Sequence, residues 1–358
     1  MGIPKTHEGD IFNRALSRVG DARLVYESEK VVTAITAANP PVVSVAAHGY
    51  ADGDRVVIYD LTGASELNGR TFEIKYVSAG TFSLPRETGS FYTAATAGLC
   101  RRLPDNESVR ACYDAWPRIR DEIIRAHPWN SIVRRTRLYN LGVRQLVDGA
   151  SQDNPVVVFV VQTAVTLAPG DFVFLTDLTG MIELNNRWFT VGNIIGPDEF
   201  ELVDEDGTGH TLYTGEGWCQ KMLDPLVPAF GYAYMYDLPE DCERVLSLEE
   251  DPDYEWETEG RQLLTDKGPS GGTSSAPTGL AVRYAKKIMD PDLYDSQLTT
   301  VLVARLACEI SEELTQSTQK KDQLREDYEN LMSEAKRLDA QEQSSMAFAE
   351  DDWVLARY

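Results

Sequence analysis

Hydrophobic and polar positions alternate with different periods along this chain. Ile11, Ala15, Leu16 and Val19 recur at helical spacing within Asp10–Val19, and Gly20 follows as a stop, which predicts a short amphipathic helix. From there to about residue 103 the text is β-rich: VVTAIT (31–36), PVVSVAA (41–47), DRVVIYD (54–60), RTFEIKYV (70–77) and TFSL (81–84), punctuated by Gly53, Gly69, Gly80 and Gly89. These runs predict a small all-β barrel or sandwich. The helical period returns in NESVRACYDAWPRIRDEIIRAHPWN (106–130). Asn106 or Ser108 is placed to cap it, and Val109, Cys112, Tyr113, Trp116, Ile119, Ile123 and Ile124 form an apolar face. Pro117 predicts a kink or a division of this helix, and Pro128 its end.

A second β-rich stretch, about 155–223, holds PVVVFVV, DFVFLTD, RWFTVGNI and EFELVD. Strands are also predicted in YAYMYDLP (232–239), ERVLSLEE (243–250) and LAVRYAKKI (280–288), with DYEWETEGRQLLTD (253–266) as a hairpin turning at Glu259-Gly260. GPSGGTSSAPTG reads as a loop by composition. Two helices close the pattern: 293–314, with Leu298, Val301, Leu302, Leu306 and Ile310, and 320–340, with Leu324, Tyr328, Leu331, Ala335 and Leu338 on a narrow stripe and a wide polar face. Thr315-Gln316-Ser317 separates them.

The two β-rich stretches are related. GDRVVIYDLTGASELNGRTF (53–72) and GDFVFLTDLTGMIELNNRWF (170–189) share twelve of twenty residues, an internal duplication at a period of 117. Asn68-Gly69 and Asn185-Asn186 supply residues that tolerate a left-handed backbone, as a tight turn requires, and the two DLTG elements repeat a second turn. A structural role is therefore the expectation for the repeated polar residues. Cys100 and Cys219, at corresponding ends of the repeats, read as one repeated core position.

Composition changes the picture mainly through charge. The 358 residues carry 57 acidic against 34 basic side chains, a formal net charge of −23. That balance argues against a protein that wraps DNA through a basic footprint, and it suits either a well-solvated surface or a wall past which DNA slides. Against this background Arg118, Arg120, Arg125, Arg134, Arg135 and Arg137 form the densest basic patch, suited to phosphate, to an acidic partner or to intrachain pairing. No apolar run is long enough for a membrane span and the N-terminus lacks the apolar core of a signal peptide, so synthesis in the cytoplasm is expected. The final SMAFAEDDWVLARY places Met346, Phe348, Trp353, Leu355 and Tyr358 near the terminus, where an anchoring tail is the expectation.

Candidate chemistry is sparse. The five cysteines are widely spaced, and His7, His48, His127 and His210 show no ligand spacing, so neither a disulfide framework nor a metal, cofactor or catalytic site is predicted. Asp204-Glu205-Asp206-Gly207 reads as a turn, lacking the glutamate that would complete a calcium loop. No phosphate-cradling loop or GxSxG is present, and sequence singles out no carboxylate pair.

With the duplicated modules set aside, the remaining elements form a helical framework: FNRALSRVG, the helix ending in Arg125-Ala126-His127-Pro128-Trp129-Asn130, the stretch Tyr234 to Leu246 with Cys242 and Arg244, the GRQLLTD hairpin arm and the terminal helices. This framework resembles the head-to-tail adaptor, or tail tubular protein A, family of short-tailed bacteriophages, over about 1–25, 104–145 and 228–340. The modules resemble the small β domain described in ubiquitin-activating enzymes, without that activity's adenylation site or catalytic cysteine. The resemblance implies an α+β fold: a discontinuous adaptor core (1–28, 104–150 and 228–340) with a small β-hairpin region, two inserted barrel-like or sandwich-like modules (29–103 and 155–223) and a C-terminal docking segment (341–358). It implies a structural virion protein at the head-tail joint: a ring of twelve copies between the portal protein and the tail nozzle protein, with double-stranded DNA passing through its lumen unread. Met346, Phe348, Trp353, Leu355 and Tyr358 become portal-docking candidates, and Arg118, Arg125, Arg134, Arg135 and Arg137 subunit-contact candidates. The inserted modules are expected to decorate or brace the exterior. Two alternatives stand beside this: an adaptor-associated peptidoglycan-cleaving enzyme, and a β-module protein that binds host glycan.

Overall fold

The computed structural model describes residues 6–89, 94–161, 166–215, 217–248, 254–269 and 277–342. It is a mixed fold of helices and several β-sheets, and it divides into two compact units, Met1–Val133 with Ala285–Tyr358, and Arg134–Tyr284. None of the described helices is long and apolar enough to cross a membrane.

The first unit holds every α-helix among the described residues. Helix α1 (Glu8–Val19) ends where Gly20 turns left-handed at φ 89° and returns its N–H to Leu16 O. Helix α2 (Glu107–Ala126) starts at Asn106, whose side chain accepts the Val109 N–H. Pro117 does not divide it: the helix runs through that position, because its buried face, from Val109 to Ile124, is held on both sides of the proline. Helix α3 (Ser296–Thr315) is capped by Asp295 and buries residues all around its middle, including Val303, Ala304, Ala307 and Cys308 beyond the predicted stripe, so it is the central helix of the unit. Gln316 (φ 52°) reverses the chain, and Ser317 caps α4 (Thr318–Gln341). On α4, Leu324, Met332, Ala335 and Asp339 are buried and most other side chains are exposed.

The same unit contains the first β module. Its strands are β1 (Lys30–Val32), β2 (Ala34–Ile35), β3 (Val42–Ser44), β4 (Arg55–Thr62), β5 (Arg70–Glu73), β6 (Thr81–Ser83) and β7 (Ala97–Arg102). They form two curled sheets, ordered β1-β7-β4-β5 and β2-β3-β6, linked by the Lys75–Ser83 bridge. One face encloses Val56, Ile58, Leu67, Phe72 and Cys100. The other sends Val57 and Tyr59 into the core formed by the four helices. An insertion that only decorates would not share a core with its host, so the first module is built into the helical body.

Among its described residues the second unit has strands and one short 3-10 helix, Ile182–Leu184, but no α-helix. Strand β8 (Val133–Leu138) precedes the second module, formed by β9 (Asn140–Leu141), β10 (Gln145–Ala150), β11 (Val157–Val160), β12 (Phe172–Thr176), β13 (Arg187–Gly196), β14 (Glu199–Leu202) and β15 (Trp218–Leu223). Six of these close into a barrel, β10-β11-β14-β13-β12-β15 and back to β10, with β9 added along β15. Its first strand lies outside the predicted 155–223 stretch, since QLVDGA has too little apolar alternation to be read as a strand until the barrel supplies its partners. The two modules share one plan. In each, the first strand pairs its N-terminal half with the last strand and its C-terminal half with the second: β1 with β7 and β2 with β3 in one, Gln145 and Leu146 with β15 and Val147 to Ala150 with β11 in the other.

The remaining strands are β16 (Tyr234–Asp237), β17 (Cys242–Leu248), β18 (Trp256–Glu259), β19 (Gln262–Thr265) and β20 (Leu280–Lys286). They make two three-stranded sheets, β16-β19-β18 and β17-β20-β8, that enclose one core of Leu138, Tyr236, Val245, Leu248, Leu263, Leu280, Val282 and Tyr284.

Candidate functional site

The residues of His127-Pro128-Trp129-Asn130 meet the end of α4. Trp129 is fully buried and donates its indole N–H to Ile123 O at 3.0 Å, folding the chain back against the helix it has just left. Asp339, 3% exposed, reaches this turn from the last turn of α4. Its Oδ1 accepts the Asn130 backbone N–H at 2.9 Å, its Oδ2 lies 2.9 Å from His127 Nε2, and its carbonyl accepts from Asn130 Nδ2 at 2.8 Å. Elements more than 200 residues apart in sequence are thus joined by one buried carboxylate. Asp339 escaped the sequence reading because it sits between charged neighbours in RLDAQE and looks like part of the polar face.

A charged cleft of about 230 Å³ opens between β5 and α2, lined by Glu8, Arg70, Thr71, Tyr113, Trp116 and Arg120 among others. Glu8 is 3% exposed and accepts the Thr71 N–H at 2.7 Å and the Trp116 indole N–H at 2.6 Å. Burial raises its pKa against the opposing pull of Arg70 and Arg120 and of the two hydrogen bonds. Both carboxyl oxygens are committed to neighbours, so Glu8 ties α1 to β5 and α2. Around it, Arg70 pairs with Glu87 at 2.7 Å, Arg86 with Glu73 at 3.7 Å, and Arg120 with Asp121 at 2.9 Å. No single residue of this cleft stands out in sequence, because the groups come from α1, the β5 region and α2.

The arginines that are dense in sequence are divided between the units. Arg118 and Arg125 lie exposed on α2. Arg118 pairs with Glu309 of α3, which also accepts Arg305 at 2.8 Å, while Arg305 reaches Glu122 of α2 at 3.2 Å; intrachain pairing therefore accounts for Arg118. Arg120, in contrast, is buried at the cleft. Arg134, Arg135 and Arg137 are exposed on β8 of the second unit, with Arg137 donating to Gly279 O at 3.1 Å. The tail candidates Met346, Phe348, Trp353, Leu355 and Tyr358 lie outside the described residues.

The duplicated polar residues hold turns. Asn68 Oδ1 accepts the Leu61 N–H at 3.1 Å and Asn185 Oδ1 the Leu178 N–H at 2.7 Å. Arg70 and Arg187 each donate to the carbonyl four residues back, at 3.1 and 2.9 Å, and each lies over the phenyl ring two residues on, at 4.9 and 4.8 Å. Asp60 and Asp177 take left-handed backbone, φ 56° and 58°, which short polar side chains tolerate. Cys100 and Cys219 are core residues of their modules, and burial pushes their thiols up to about 11 and about 12. Asp204 (φ 59°) turns the chain after β14, and Asp206 accepts from Thr208, so this acidic run is a turn. Compared with known proteins, the chain matches no family model and no curated protein.

Proposed function

We propose that this chain is a ring-forming structural protein that joins a phage portal to its tail and continues the DNA channel. The observation that carries this reading is the assembly of the helical part of the framework: α1, α2, α3 and α4, scattered from residue 8 to residue 341, share a single apolar core, and the HPWN turn is locked to the end of α4 by Asp339. A body that keeps its helices together while two β modules interrupt the chain suits a subunit whose geometry must repeat around an axis. The net charge of −23 supports the channel role, since an acidic lumen offers DNA phosphates few cations to bind. Copies in such a ring present two different surfaces, because a contact of one patch with itself closes at a dimer.

Mass measurement of the protein, alone and mixed with the cognate portal, tests the reading. A species near twelve times the 39.9 kDa chain, or a portal complex of that stoichiometry, is expected. A monomer that ignores the portal at every concentration overturns it.

A further inference from the structure

Building on the ring reading, we propose that adjacent copies meet through opposite outer faces of the small sandwich in the second unit, the acidic face of β16-β19-β18 on one copy against the basic β8 side on the next. The partner is a second copy of this chain.

Strand register defines the acidic face. Asp237, Gln262 and Glu259 stand in one row across the sheet, and Met235, Leu264 and Glu257 in a row on the same side. The intervening rows carry Tyr236 and Leu263, which belong to the core between the sheets, so Asp237, Glu257 and Glu259 project away from it; Leu264 on the central strand is buried, and the three carboxylates of the two flanking strands are exposed. Leu226 bridges to Met235 at the border of this sheet, and Val227 and Phe230 just beyond are 75% and 87% exposed, which sets apolar surface beside the charges.

The other sheet carries the opposite sign. Leu138 of β8 points into the core, so the period of two places Arg135 and Arg137 on the outer face, where both are exposed. On β20, Leu280, Val282 and Tyr284 point inward and Arg283 outward by the same alternation. Opposite charges on opposite sides of one shared core favour head-to-tail packing. A twofold contact would set arginine against arginine or glutamate against glutamate. Two highly acidic chains repel at long range, so a local patch of arginine gives the approach both an orientation and a register. Of the five candidates Arg118, Arg125, Arg134, Arg135 and Arg137, the alternation along β8 sets Arg135 and Arg137 on this face.

Charge exchange in the full-length chain tests the pairing. In R135E/R137E both outer faces are acidic, and in E257K/E259K both are basic. Each variant alone, checked as folded by circular dichroism, is expected to assemble at least about tenfold more weakly than wild type by sedimentation or mass photometry, with or without the cognate portal. An equimolar mixture of the two is expected to recover assembly, because every contact then joins faces of opposite sign. Raising salt from about 0.05 M to about 0.5 M weakens the wild-type contact, as screening predicts. If the wild-type ring forms and both variants assemble as well as it does, these faces are not the contact, and the ring reading survives. If each variant fails and the mixture also fails, charge pairing between these faces is refuted. If wild type neither self-assembles nor joins the portal, the ring reading falls together with this contact.

Discussion

Replacing Asp339 with alanine tests whether the join between the HPWN turn and α4 stabilises the first unit. The substitution removes the acceptor of the Asn130 N–H at 2.9 Å and the partner of His127 Nε2 at 2.9 Å, while the bond from Asn130 Nδ2 to the residue 339 carbonyl can persist. A hydrogen bond to a charged group contributes about 1.5–3 kcal/mol net. The Asp339 side chain is 2% exposed and that of His127 is 19% exposed, so the first bond keeps most of that value and the second is weakened by water. Together they give an expected loss of about 3 kcal/mol, with the apolar anchors Met332 and Ala335 retained. Hydrogen exchange at the Asn130 amide reads the effect directly, since a 3 kcal/mol easier opening speeds exchange by about a hundredfold. Asp339→Asn keeps one oxygen for the Asn130 N–H and is expected to cost about half as much. A double-mutant cycle with His127→Ala isolates the second bond. An Asn130 exchange rate in Asp339→Ala within twofold of wild type would refute the assignment, as would equal losses for the alanine and asparagine variants.

Three further outcomes follow from the geometry. Glu8 has its pKa raised by burial, so the folded state holds its proton more tightly than the unfolded chain does. That advantage is complete below the ordinary value of 4.5 and drains away as pH rises through the higher folded value, so urea midpoints should fall with pH more steeply in wild type than in Glu8→Gln; parallel curves would contradict the shift. Alanine at Gly180 meets Leu212 O at 2.1 Å with φ at 95°, and at Gly63 meets Ala94 O at 2.4 Å with φ at 86°, whereas Gly53, at φ 90°, has open space. The first two substitutions should cost about 2–4 kcal/mol and Gly53→Ala about 1, read as thermal shifts, and equal shifts at all three would sink the steric account. Burial pushes the thiols of Cys112 and Cys219 up to about 12, so iodoacetamide at neutral pH should label neither before unfolding, and mass spectrometry of the native protein checks this.

Much of the fold was legible because the period of hydrophobic positions reports local structure directly. The duplication, the Asn106 cap, the Gly20 stop, the β18-β19 hairpin, whose turn falls one residue on at Gly260-Arg261, and the break at Gln316 all appear where their residues act over only a few positions. Less local features were hidden. Pro117 does not divide α2, because continuous packing on one face keeps one helix through it. Strand β10 has weak alternation because its pairing partners, β11 and β15, decide its state. Asp339 and Glu8 carry no signal of their own, since a carboxylate gains its role from donors brought to it from far away in sequence.

The duplicated modules separate the two kinds of information. Sequence by itself determined their shared interior and turns, because left-handed positions, strand alternation and the Asn68 and Asn185 bridges are satisfied within about ten residues. Tertiary structure alone decided what each module faces. Asn68 Nδ2 donates to Asp290 at 2.8 Å, whereas Asn185 Nδ2 returns to Leu178 O at 2.9 Å, and Val57 enters the helical core while its counterpart Phe174 lies tilted against Trp188, ring centroids 5.0 Å apart. Identical local rules leave the outward-pointing groups unassigned, and only the neighbours delivered by the rest of the chain supply their hydrogen bonds and their burial.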